Sequence, residues 1–181
     1  MNTRRTLITA LFTGLIIVGT FIKVPIPPVP ITLQTLFVIL GALLGGFHIG
    51  FVSFIIYLVL GTLGLPIFST GGGIGALIGP TGGYLFGMLL ATIIAGLFSD
   101  IANKKENKTP LFVIGGFLAT LAIYLIGIPW LKIATSMDWQ KSIELGLFPF
   151  LIGDGIKLIV VILLTSKFYE RVKSLIESDV N

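Results

Sequence analysis

The feature that most limits what this chain can fold into is a succession of long apolar runs. They lie near 6–22, 33–47, 50–63, 82–99, 110–127 and 147–167, with hardly a charge inside them. A hydrocarbon core asks for about 20 apolar residues per crossing helix, within about 17–25. The second and third runs are shorter and are parted only by the FHIG turn at His48. They form either a tight helical hairpin or helices lengthened by flanking residues. Composition decides the solvent: 55% of the 181 residues are hydrophobic and 11% are charged, against about 25% charged in a soluble domain. Mean hydropathy is +1.05. So few polar groups do not cover a surface facing water. The expected fold is an all-α integral membrane protein, a six-transmembrane-helix bundle forming a single transmembrane domain over 1–181.

The first run follows two arginines, as in a secretory signal, but no A-x-A-like cleavage site follows and the run is long enough to span. It is read as a retained helix. With six crossings both termini share one side. That side carries Arg4, Arg5, Lys104, Lys105, Lys108, Lys167, Arg171 and Lys173, while the other carries Lys23, Lys132 and Lys141. The positive-inside rule puts both termini in the cytoplasm of a cell-membrane protein. The formal charge of +4 is thus topological and does not point to nucleic acid.

Several chemistries drop out. There is no cysteine, so thiolate metal sites and cysteine nucleophiles are excluded, and a single histidine, His48, excludes a multi-histidine site within one chain. No nucleophile–base arrangement is visible. The segments GGGIGALIG and GPTGG lack the lysine of a G-x-x-x-x-G-K-[ST] phosphate loop. The chain is read as no enzyme, with no bound cofactor and no metal.

The outer loops are unusual. KVPIPPVPITLQT holds Pro25, Pro27, Pro28 and Pro30, and proline's fixed φ and missing donor make it stiff and extended. GLPIFSTGGGIGALIGPTGG carries eight glycines from Gly64 to Gly83 and almost no charge. It either folds back over the helices, where glycine lets backbone approach a ligand, or dips as a linker into the headgroups. The third loop carries Trp130 and Trp139, suited to an interfacial aromatic belt or a short amphipathic helix. Small residues recur at four-residue spacing, as Gly83, Gly87, Ala91 and Ala95 on the fourth run and Thr6, Ala10 and Gly14 on the first. Such stripes let helices approach closely. The fourth-run stripe is read as packing inside the bundle, and the first as either packing or docking of another subunit.

The last run, FLIGDGIKLIV, contains Asp154 and Lys157. Each costs about 2.5–3.5 kcal/mol at the centre of a transmembrane helix. Three residues apart, they share a helix face, with Asp154 about 10 Å below the outer end at about 1.5 Å per residue. Intramembrane charges usually face a cavity and mark a substrate path. The alternative is a self-satisfied ion pair that pins the helix, a costly device where apolar packing would serve.

PIPPVPITLQT, GLPIFSTGGG, GPTGGYLFG and GDGIK, in this order over nearly the whole chain, resemble the BioY family, the biotin-specific S-components of energy-coupling factor (ECF) transporters. The resemblance implies capture of biotin from the extracellular side. It also implies ATP-driven uptake through a transmembrane coupling subunit and two cytoplasmic ABC-type ATPases. Ala10 and Gly14 stand where the family carries a small-residue A-x-x-x-A docking pattern, with glycine replacing the second alanine. Biotin offers a carboxylate, a ureido ring with two N–H donors and a carbonyl, and an apolar thioether body. Lys157 is expected to pair with the carboxylate and Asp154 to accept a ureido N–H, or Lys157 to donate to the ureido carbonyl. Thr32, Gln34, Thr35, Thr81 and Tyr84 are expected to supply further contacts. Thr81 could instead cap the fourth helix, and Tyr84 could sit in the interface belt. A self-sufficient facilitator or channel, or a structural assembly protein, is the alternative to the transporter reading.

Overall fold

The computed structural model describes residues 3–177. Its elements run α1 (Thr3–Phe21), β1 (Lys23–Val24), β2 (Ile31–Thr32), α2 (Gln34–Thr62), α3 (Ile74–Ile78), α4 (Gly82–Ala102), α5 (Thr109–Thr135), α6 (Trp139–Gly146) and α7 (Phe148–Glu177). Five helical stretches are long and apolar enough to cross a membrane. One of them, α2, reverses on itself at Gly46, whose φ of 77° and ψ of −177° are non-helical. A Cβ on Gly50 would lie 2.5 Å from the Cα of Ala42. Eight residues along a straight helix are about 12 Å apart, so the chain has turned back there. The short second and third runs are therefore a hairpin, and the bundle has six passes. The chain termini, expected on one side, lie outside the described residues.

The hairpin is short for a reason that matters to the site. Its first arm, 34–45, rises only about 18 Å at about 1.5 Å per residue, well under the about 30 Å of hydrocarbon. That arm on its own falls short of a full crossing. The gap above it is closed by β1 and β2, which pair antiparallel with Lys23 opposite Thr32 and Val24 opposite Ile31. The proline loop was expected only to be extended. It is a ribbon because residues on either side of the prolines can exchange backbone hydrogen bonds that prolines cannot donate.

The glycine segment, expected either to fold back over the helices or to dip as a linker into the headgroups, contains the short helix α3. Ile67, Phe68 and Ala76 from this stretch are buried. Phe68 bridges to Gly71, and Gly64, Gly71 and Gly73 hold φ of 107°, 122° and 85°. Only glycine adopts such angles at little cost. The segment is fastened to the bundle by Tyr57 Oη donating to Ile67 O (3.1 Å) and Trp130 Nε1 donating to Gly79 O (3.0 Å). Lys23 Nζ donates to Ser69 O at 2.7 Å, joining the ribbon to the glycine segment.

The fifth helix was expected to end near 127 but continues through Pro129 to Thr135. Its anchor is Leu131, which is fully buried, and a proline is tolerated in a membrane helix where neighbours satisfy the freed groups. The third outer loop then holds the short helix α6, capped by Asp138 accepting from Lys141 N at 2.7 Å. The last helix outruns its expected end at 167, reaching Glu177.

Packing follows small residues. Gly83, Gly87, Ala91 and Ala95 are all buried, and a Cβ on Gly87 would meet the Ile123 backbone at 2.7 Å, so this stripe seats α4 on α5. On α1 the buried face is Thr9, Phe12, Thr13, Ile16, Gly19 and Thr20. Its hydroxyls bond internally: Thr13 to Thr9 O (2.9 Å) and Ser53 O (3.2 Å), and Ser53 to Thr9 O (3.1 Å). Ala10 and Gly14 lie on the opposite, exposed face. In α7 a single stripe is buried, and it includes Lys157 and Lys173 among Phe150, Val161, Thr165, Tyr169 and Ile176. At the hairpin turn, Lys173 Nζ meets Asp100 Oδ1 at 3.5 Å, and Asp100 Oδ2 accepts from Phe47 N at 3.2 Å.

Candidate functional site

The stripe on α7 brings Lys157 to the outer end of the first hairpin arm, where its ammonium is surrounded. Its Nζ donates to Thr32 O at 2.6 Å, Asp154 Oδ1 at 2.8 Å and Thr35 Oγ1 at 3.3 Å. An ammonium has three donors, so all are engaged. Both side chains of the pair are almost fully withdrawn from the surface, at 10% for Lys157 and 12% for Asp154. Taken alone, that would suit a structural ion pair. The surroundings argue otherwise, because the pair borders a cavity.

The cavity encloses about 480 Å³ of space between atoms, part of it open to solvent, under the ribbon and the glycine segment. All seven ligand-contact candidates, Thr32, Gln34, Thr35, Thr81, Tyr84, Asp154 and Lys157, line it. Among the described residues, Asp154 and Lys157 are the only charged ones lining it, so the pair's formal charges cancel. Its remaining walls are apolar or weakly polar: Val29 and Pro30 from the ribbon, Leu85 and Met88 from α4, Ile123 and Tyr124 from α5, and Phe150 from α7.

The seven candidates differ in what they have free. Gln34 is 2% exposed, and its side-chain amide, which lies beside the Tyr57 hydroxyl, lines the cavity. Its backbone N–H is held by Thr32 Oγ1 at 3.2 Å. Thr81 occupies the N-cap position of α4 without making a side-chain cap bond; its hydroxyl lies 3.4 Å from that of Thr70 and 3.5 Å from Ala76 O. Tyr84 is buried, away from any interface belt, and its hydroxyl donates to Gly146 O at 2.8 Å. Its ring, stacked at 6.2 Å on Phe150, is a wall. Ala10 and Gly14 are remote from this cavity on the outside of α1.

Sequence reasoning passed over Ser69 and Tyr124. Ser69 was hidden in the glycine segment, whose fold no periodicity reports. Tyr124 had a readable signal, a phenol inside the apolar run ATLAIYLIG, where a buried hydroxyl needs a partner. Its Oη donates to Asp154 Oδ2.

The sequence model of the BioY family matches residues 1–174. A probable biotin transporter BioY from Pyrococcus horikoshii is 39% identical, over 92% of this chain and 97% of its own length. A biotin transporter BioY from Thermotoga maritima is 40% identical, over 89% and 93%. Among solved structures, the S-component for biotin from an ECF-type ABC transporter superposes with a TM-score of 0.83, at 26% identity, covering 93% of this chain and 92% of that one.

Proposed function

The chain belongs to the BioY family, and from that premise we propose that it is the biotin-capturing S-component of an ECF-type transporter. It is a multi-pass membrane protein, folded as one transmembrane unit over 1–181 with both termini cytoplasmic, and it takes biotin from the outer side. The observation that carries this reading is the Asp154–Lys157 pair, withdrawn from the surface on an apolar helix yet bordering a cavity beneath the ribbon and the glycine segment.

The geometry favours one of the two ligand assignments. With only 2.8 Å between Lys157 Nζ and Asp154 Oδ1, the pair is one subsite, and a ligand carboxylate on Lys157 would crowd the carboxylate of Asp154. The ureido group does not have that conflict. Asp154 accepts a ureido N–H, the Gln34 amide donates to the ureido carbonyl in place of Lys157, whose three N–H groups are taken, and the apolar body packs on Tyr84, Met88 and Phe150. The valerate tail then runs toward Ser69 and Thr81 at the mouth. Thr32 and Thr35 hold Lys157 in place from the far side.

This chain has no phosphate loop, so concentrative uptake falls to partners, a transmembrane coupling subunit and two cytoplasmic ATPases. The exposed Ala10–Gly14 face of α1 is the proposed seat for the coupling subunit. The deciding experiment is equilibrium binding of biotin and of biotin amide to the purified protein. Saturable submicromolar binding of both is expected, with the amide within a few-fold of biotin, since the carboxylate lies at the mouth. Strong loss with the amide would return the carboxylate to Lys157. No binding of either would leave a facilitator or structural protein.

A further inference from the structure

Asp154 is held at two points. Lys157 engages Oδ1, and the phenol of Tyr124, from α5, donates to Oδ2. A carboxylate's terminal torsion is broad and roughly two-fold, so one partner leaves its plane free to rotate. Two partners on opposite oxygens fix it. An ionised carboxylate has about four lone-pair sites; with two taken, each oxygen keeps one for the cavity that both residues border.

Tyr124 also stands at a boundary. It lines the ligand cavity and also an apolar groove open to the surface, bounded by Phe117, Leu121, Leu125, Leu147 and Leu151. Those leucines and Phe117 are exposed or half-exposed at the protein's outer surface, whereas Tyr124 itself is 8% exposed. The ring thus separates a charged pair from hydrocarbon, while the hydroxyl orients one member of that pair. These are two separable contributions, because phenylalanine keeps the wall and loses only the donor.

We propose that Tyr124 is a positioning residue for ligand recognition, fixing the Asp154 carboxylate so that its free lone pairs meet the ureido N–H of biotin. The assignment rests on the biotin reading above and adds to it a residue on a different helix. Because α5 carries Tyr124 and α7 carries Asp154, the ligand contact forms only when the two helices are in register. Gln34, Thr32 and Thr35 on the opposite side of the cavity hold Lys157 or face the ligand, and none of them is bonded to the Asp154 carboxylate.

The test is a double-mutant cycle on biotin affinity in the purified full chain, using wild type, Tyr124→Phe, Asp154→Asn and the double variant. Loss of a hydrogen bond to a charged acceptor is expected to weaken binding about tenfold in Tyr124→Phe, with expression and unfolding midpoint close to wild type. In the Asp154→Asn background the same change is expected to cost less than about twofold, because residues in one network are not additive. Should Asp154→Asn bind too weakly to measure, Asp154→Glu takes its place in the cycle. Penalties that multiply, or a Tyr124→Phe protein that binds like wild type, would overturn the assignment while leaving biotin binding intact. A wild type without saturable binding would overturn the biotin reading and this assignment together.

Discussion

At the scale of single residues, the membrane charges are the strongest statement the chain makes. Lys157 has three partners and almost no exposure, so removing it leaves Asp154 as an unpaired buried charge, a change that costs about 3–5 kcal/mol. Lys157→Ala is therefore expected to lower the unfolding midpoint and, by releasing the Asp154 carboxylate from one of its two anchors, to weaken biotin binding by about tenfold or more. Lys141→Ala, on the exposed face of α6, is expected to change it less than about twofold. Equal effects, measured by titration calorimetry on both variants, would remove Lys157 from the site. The doubly neutral variant Asp154→Asn with Lys157→Gln separates folding from recognition. It carries no stranded charge, and is expected to stay monodisperse in detergent and still fail to bind. The pair was legible in the sequence because lipid makes any charge conspicuous. The partners of the pair were only partly legible. Thr32 and Thr35 lie near prolines that forced a non-helical segment, and so drew attention. Tyr124 looks like any aromatic in an apolar helix until the position of its hydroxyl is known.

At the scale of elements, glycine decides what periodicity does not. The hairpin turns at Gly46, whose φ of 77° with ψ near 180° is a conformation essentially confined to glycine, costing other residues about 1–3 kcal/mol. An added Cβ there would also press on the Asp100 carboxylate that receives Phe47 N–H. Gly46→Ala is thus expected to lower the unfolding midpoint in detergent by several degrees. Gly75→Ala, in α3 where a Cβ meets nothing within 4 Å, is expected to leave it unchanged. A Gly46→Ala protein as stable as wild type would mean that the turn is not built on this residue. Six passes could be counted from hydropathy, but the turn expected on FHIG falls just before it: residues 47–50 are helical and the chain reverses at Gly46. The continuation of α5 through Pro129 was not visible, since it depends on the burial of Leu131. Nor was α3, five residues among glycines, where tertiary contacts such as Trp130 to Gly79 outweigh local propensity.

At the scale of the whole molecule, the two ends of the bundle do different work. One half holds the neutral cavity, the ribbon and the glycine segment, the last two joined by Lys23 at Ser69. The other half holds the hairpin turn tied to α4 and α7 through Asp100 and Lys173. Between them runs α1, which packs its hydroxyl face inward and presents Ala10 and Gly14 outward. Among the described residues, a Cβ at Gly14 meets nothing beyond its own helix within 4 Å, so no contact seen in the folded subunit requires a small residue there. Close helix–helix approach in lipid does require one, since membrane association depends on packing of small residues. Gly14→Leu is accordingly expected to leave biotin affinity and unfolding midpoint within error of wild type. In vesicles reconstituted with the coupling subunit and ATPases, the same change is expected to cut ATP-dependent biotin uptake by about tenfold or more. Vesicles holding wild-type chain alone are expected to show binding without accumulation. Concentrative uptake by the chain alone would contradict the need for partners, and normal uptake by Gly14→Leu would move the docking surface off α1.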